Sequence, residues 1–146
     1  MWDTKTIFLI VACSVTGCSK ENTTWIEIAR SEAMQVYMGK KIEMGERPEL
    51  PFVGATVLWN YLQPQTSPEG KQYKSFKAKF LINCARGQAA DFEFARYFEQ
   101  MATGDIVDSG MRDLKEAERE HKDISDSALR EVAERACGRA GKGMPH

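Results

Sequence analysis

Four cysteines carry most of the chemistry legible in this chain: Cys13, Cys18, Cys84 and Cys137. Cys18 closes the stretch Val15-Thr16-Gly17-Cys18, after an apolar run over 6–15 and a short polar head that carries Lys5. The run falls short of the roughly 20 apolar residues that span a bilayer and has the length of a secretory h-region. Small residues before a cysteine form the lipobox pattern of bacterial lipoproteins. In that chemistry the thiol takes a diacylglycerol by thioether, the leader is cut off, and the new amine is acylated by a palmitate-class chain. Several such chains anchor a protein stably, at about 0.8 kcal/mol per buried CH₂. Ile10-Val11-Ala12-Cys13 fits the pattern loosely, but a cut there leaves a short apolar core and apolar residues behind it. Cys18 is therefore the expected lipidation site. Ordinary signal cleavage and an uncleaved anchor are the alternatives. Ser19 carries no acidic retention signal, so the outer membrane is the expected destination.

The remaining cysteine arithmetic follows. Cys13 leaves with the leader and Cys18 is lipidated, so Cys84 and Cys137 remain in an oxidising compartment with one intramolecular pairing open to them. A metal site is the poorer reading, because two distant cysteines without a histidine partner lack zinc spacing. Other reactive groups are sparse. His121 lies in a charged segment and His146 is the last residue, with no serine or cysteine near either in a nucleophile pattern. No carboxylate stands in an apolar setting that would raise its pKa. Gly138, Gly141 and Gly143 follow a helical pattern rather than a strand, unlike a phosphate loop. No enzyme activity and no cofactor are expected. A formal net charge of −1 gives no sign of a nucleic-acid partner.

Three further groups have two readings each. Met34 and Met38 are core filling or soft ligands, and the former is the better. Tyr37, Trp59 and Tyr61 pack on the sheet or line a ligand groove. Lys71, Lys74, Lys77 and Lys79 form a solvated sheet face or a patch for an anionic partner.

The elements that would position these residues are strands first and helices last. Residues 75–84, SFKAKFLINC, alternate: Phe76, Ala78, Phe80, Ile82 and Cys84 on one side; Ser75, Lys77, Lys79 and Asn83 on the other. Such alternation marks a strand with one dry face. Further strands are expected at 25–29, 34–38, 41–44, 52–62, 89–98 and 104–107, with a turn region at 63–72 around Pro64, Pro68 and Gly70. In 89–98, Arg96 interrupts the apolar face, and a helix is the rival assignment. Residues 111–122 read as a short charged helix with a thin stripe of Met111, Leu114 and Ala117. Asp126 or Ser127 then offers an N-cap. Leu129, Val132, Ala133 and Ala136 share one helical face, Cys137 borders it, and Gly138 is the expected stop. Both cysteines thus border dry surfaces, so the C-terminal helix is expected to be stapled across the sheet.

The order of these motifs resembles the surface-adhesin protein E family of bacterial surface lipoproteins. The residues that carry it are Trp25 opening a strand, Val57, Trp59 and Leu62 with Tyr61, and Ser75 leading a strand to Cys84. They continue with Tyr97, then Gly104 before Ile106 and Val107, and Ser127 opening a helix to Cys137. There are departures. Asn83 stands where the family tends to have Asp, no Trp or Pro precedes the last helix, and 111–122 looks like an insertion. The resemblance implies an antiparallel sheet with a C-terminal helix disulfide-bonded to one face, and attachment to host matrix and serum proteins. It carries over no binding residue.

The expected fold is therefore α+β: an antiparallel sheet of about six strands, a late stapled helix and a short charged helix before it. The expected organisation is a signal peptide over 1–17, a polar tether over 18–24, the domain over 25–138 and a flexible tail over 139–146. The expected role, with what the resemblance implies, is that of an outer-membrane lipoprotein of the cell surface, lipid-anchored and binding a protein partner (host matrix or serum proteins) as an adhesin-like module. The alternative is a periplasm-facing structural or assembly role.

Overall fold

The computed structural model describes residues 25–44 and 52–140. They form β1 (Trp25–Arg30), β2 (Met34–Gly39), β3 (Glu43–Met44), β4 (Phe52–Thr66), β5 (Gln72–Asn83), β6 (Gln88–Tyr97) and β7 (Ile106–Met111). Then come α1 (Leu114–Arg119), β8 (Lys122–Asp123) and α2 (Ser127–Ala140). The sheet runs β1-β2-β4-β5-β6-β7, with β3 on β4 and β8 on β6. Every pairing is antiparallel. The six-strand path and the stapled C-terminal helix are the expected architecture.

Alternation builds the dry side. Val36 and Met38 of β2, Val53, Ala55 and Val57 of β4, and Ile82 of β5 are buried on it. Register aligns them: Met38 opposite Val57, Val57 opposite Ala78, and Val53 opposite Ile82. The stripe of α2 closes over this side. Val132, Ala133 and Ala136 are buried in the same cluster, with Leu129 packed against it, and the helix lies over β4 and reaches β1. Alanines on the facing turn let the helix backbone come close to the sheet. Asp126 is the N-cap, its Oδ1 accepting from the Leu129 N–H at 2.8 Å.

Several boundaries differ from the sequence expectation, each for a local reason. The strand that starts at Phe52 does not stop at Leu62; it continues to Thr66 through Pro64. The ladder breaks between Asn60 and Gln65, so proline costs no pairing there. The charged helix is only Leu114–Arg119, because Met111 still pairs with Glu93 and Asp113 caps the helix start. Its expected stripe reduces to Ala117, fully buried, while Leu114 and Met111 are exposed. The last long strand begins at Ile106, not Gly104, and Phe98 lies beyond β6, exposed. Gly138 does not end α2, which runs on to Ala140; a glycine so near a helix end costs only about 1 kcal/mol against alanine.

Candidate functional site

The sheet has a stapled side and an open side. On the stapled side Cys84, just past β5, is bonded to Cys137 of α2, with Cα atoms 5.7 Å apart and a sequence separation of 53. Closing a loop of that length stabilises the fold by roughly 4 kcal/mol in the chain-entropy model. Away from the helix this side turns aromatic. The rings of Trp59 and Phe76 are 5.6 Å apart, those of Phe76 and Phe94 5.8 Å, and those of Trp59 and Phe80 6.0 Å.

Arg96, expected to break the apolar face, is absorbed by it. Its guanidinium lies 5.1–5.3 Å from the ring centres of Phe94, Phe76 and Tyr73 and is held by Asp108 at 3.1 Å. Burial pulls the Arg96 pKa down, but Asp108 and Tyr73 together more than offset it and the net direction is up. The cation is therefore kept, stabilised by ring faces and one carboxylate. Its Nε is buried without a partner among the described residues.

The open side bears Tyr37, Lys77, Lys79, Glu93 and Tyr97 together with Leu58, which is itself fully buried. Its two ends are covered. At one end residues 98–105 fold over it, held by two buried polar side chains that sequence reasoning missed. Ser75, expected on a solvated face, is fully buried. Its Oγ donates to the Glu99 carbonyl at 2.6 Å and accepts from the Ala102 N–H at 2.9 Å. Asn60 accepts from the Met101 N–H at 2.7 Å. These bonds hold Met101 and Ala102 at φ 57° and 56°, left-handed values that cost residues with a Cβ about 1–2 kcal/mol each. At the other end His121, which follows α1, stacks on Phe52 with ring centres 5.3 Å apart. Its Nδ1 faces the Glu118 carbonyl and its Nε2 the Leu81 carbonyl, both at 3.0 Å. The histidine that sequence reading left in a solvated helix is thus a clasp. A polar residue amid the apolar run of β4, Asn60, was the available signal for the first cover.

Between the covers lies a groove of about 340 Å³, lined by Lys77, Lys79, Glu93, Ala95, Tyr97 and Ser109 and bounded by Ile106 and Met111. The structure divides the predicted lysine cluster. Lys77 lies 5.5 Å from the centre of the Tyr97 ring, while Lys79 sits 3.8 Å from Glu93 and 4.0 Å from Glu43. The open side is therefore a mixed surface and not a basic patch. Nor do Tyr37, Trp59 and Tyr61 share a ligand groove. Tyr37 bonds Gln35 at 3.2 Å on the open side, and Trp59 packs on the core. Tyr61 meets Tyr73 edge-on at 6.0 Å, and burial pushes its hydroxyl pKa up. Met38 is fully buried and Met34 packs beside it, as core filling. Cys13, Cys18, the 1–24 leader and tether, and residues 141–146 lie outside the described residues. Among the described residues no helix is long and apolar enough to cross a membrane.

A helix stapled to one side of a single antiparallel sheet, with a shallow mixed groove on the other, defines an α+β module that offers contact surface. Residues 25–138 match the sequence model of the family described as surface-adhesin protein E, and the chain belongs to that family. Two solved structures share the fold. One is of Haemophilus influenzae protein E: 17% identity, TM-score 0.58, covering 83% of this chain and 89% of that one. The other is of protein E from non-typeable Haemophilus influenzae: 16% identity, TM-score 0.57, covering 82% and 78%. Among curated proteins none matches significantly. Family and fold are those of an adhesin-like surface protein.

Proposed function

We propose that the chain is an outer-membrane lipoprotein, anchored through Cys18, that displays residues 25–138 at the cell surface and binds host matrix or serum proteins. The observation that carries this reading is the family match over 25–138. The lipobox ending at Cys18 supports the anchor, since only the polar stretch 19–24 separates it in sequence from β1. The mixed, shallow groove supports contact with a macromolecule, because small-ligand sites are deeper and mostly apolar.

Protease shaving of intact cells tests the display. Digestion of the domain on intact cells is the expected result. Digestion only after the outer membrane is broken would replace the adhesin with a periplasm-facing protein. Cys18→Ala is expected to abolish fatty-acid labelling and leave uncleaved precursor. Unchanged labelling, removed instead by Cys13→Ala, would move the anchor.

A further inference from the structure

The two edges of the sheet are built differently. β1 carries a bulge between Glu27 and Ala29 and the exposed pair Glu27 and Arg30, 2.7 Å apart. Bulges and charges of this kind discourage a further strand. β7 reads Ile106-Val107-Asp108-Ser109-Gly110-Met111, without lysine or proline. Its one charge, Asp108, is turned inward to Arg96. Its one irregularity falls between Ile106 and Asp108, leaving the rest in even register with β6. Among the described residues β7 pairs with β6 alone, and Ile106 and Met111 are 57% and 77% exposed. An apolar, unguarded edge is a template for strand pairing.

The groove opens at this same edge, with Ile106, Ser109 and Met111 on its rim. A strand laid outside β7 would place every second side chain above that rim. Charge selects the ends of such a strand. Asp105 and Asp113 are exposed on either side of β7, and neither has an ion-pair partner among the described residues. The nearby Arg112 is already shared by Asp91 at 3.1 Å and Glu120 at 2.6 Å. Both ends of the edge thus carry a carboxylate outside any ion pair among the described residues, that of Asp113 accepting from the Lys115 N–H as the cap of α1.

We infer that β7 takes an extended segment of a partner protein by strand addition, with apolar residues at alternate positions and lysine or arginine at its ends. This inference rests on the protein-binding role proposed above and names the surface that performs it. Main-chain bonds would supply affinity and the groove side-chain preference.

The test titrates a short fluorescent peptide, alternating valine and threonine between lysine ends, against the intact oxidised protein. Saturable binding should slow amide exchange in 106–111 and leave 25–30 unchanged. The same peptide N-methylated at alternate residues should bind at least roughly tenfold more weakly, as should one with glutamate ends. Ile106→Lys/Met111→Lys, which changes only exposed side chains, should lower affinity as much with no loss of melting temperature. Equal binding of the N-methylated peptide would overturn strand addition. So would protection at 25–30, or occupation of the edge by a second copy or by residues 1–24 or 141–146 of the chain itself. Matrix-protein capture by the wild type that persists in the double variant would remove the edge and leave the adhesin reading standing. A wild type that takes up the peptide at 106–111 yet captures no matrix or serum protein would keep the edge and remove that reading.

Discussion

The stapled and open sides of the sheet share the same strands and differ in almost everything else. One is aliphatic beneath α2 and aromatic beyond it, closed by that helix and tied by Cys84–Cys137. The other is a mixture of paired charges, rings and small residues, covered at its two ends and grooved between them. Because strand side chains alternate, neighbours such as Val57 and Leu58 work on opposite sides. The difference teaches that stability and contact can be altered almost independently, and the predictions below probe that separation.

The largest effect belongs to the staple. Cys84→Ser/Cys137→Ser should cost about 2–5 kcal/mol. Either single variant should cost nearly the same, since one bond is lost in all three, and urea unfolding of the oxidised proteins measures it. Additive losses from the two single variants would show that the cysteines act separately. Next comes the cover on the open side. Ser75→Ala strands the buried Ala102 N–H and Glu99 carbonyl and should cost about 1–3 kcal/mol. Ala102→Gly has the opposite sign. It relieves a left-handed Cβ at φ 56° and should stabilise by roughly 0.5–1 kcal/mol after the glycine's extra unfolded-state entropy. The smallest effect is Lys79→Ala. Its two carboxylate partners stand at 3.8 and 4.0 Å on an exposed surface, and such pairs contribute about 0–1 kcal/mol. A loss as large as that of Ser75→Ala would erase the contrast within the open side.

What the sequence made legible follows the same division. Period-two alternation in 75–84 and the stripe Leu129, Val132, Ala133 and Ala136 both report burial against one continuous surface, so the part of the stapled side under α2 could be read residue by residue. Legibility fails where partners lie far apart in sequence: on the open side Ser75 is dry because Glu99 and Ala102 return over it, and on the stapled side Arg96 is tolerated because Asp108 on the next strand neutralises it. No local pattern encodes either. Pro64 looked like a turn because the bulge that admits it is a property of pairing with β5. Met101 and Ala102 carry no glycine signal for their positive φ, since tertiary hydrogen bonds impose it. In β7, Ile106 and Val107 mark a strand, but its continuation to Met111 is a matter of pairing with β6, where Gly110 leaves room for the Phe94 ring that any Cβ would meet at 2.6 Å.

The most direct test of the division places one lysine on each side and compares melting temperatures of the intact, oxidised protein. Ala136 is fully buried on the sheet-facing stripe of α2 and Ser109 is exposed in the groove. Ala136→Lys should bury an unpaired charge and lower the melting temperature by roughly 10 °C or more, while Ser109→Lys should stay within about 2 °C of the wild type. Equal losses, or a larger loss from Ser109→Lys, would contradict a fold held on one side and free for contact on the other.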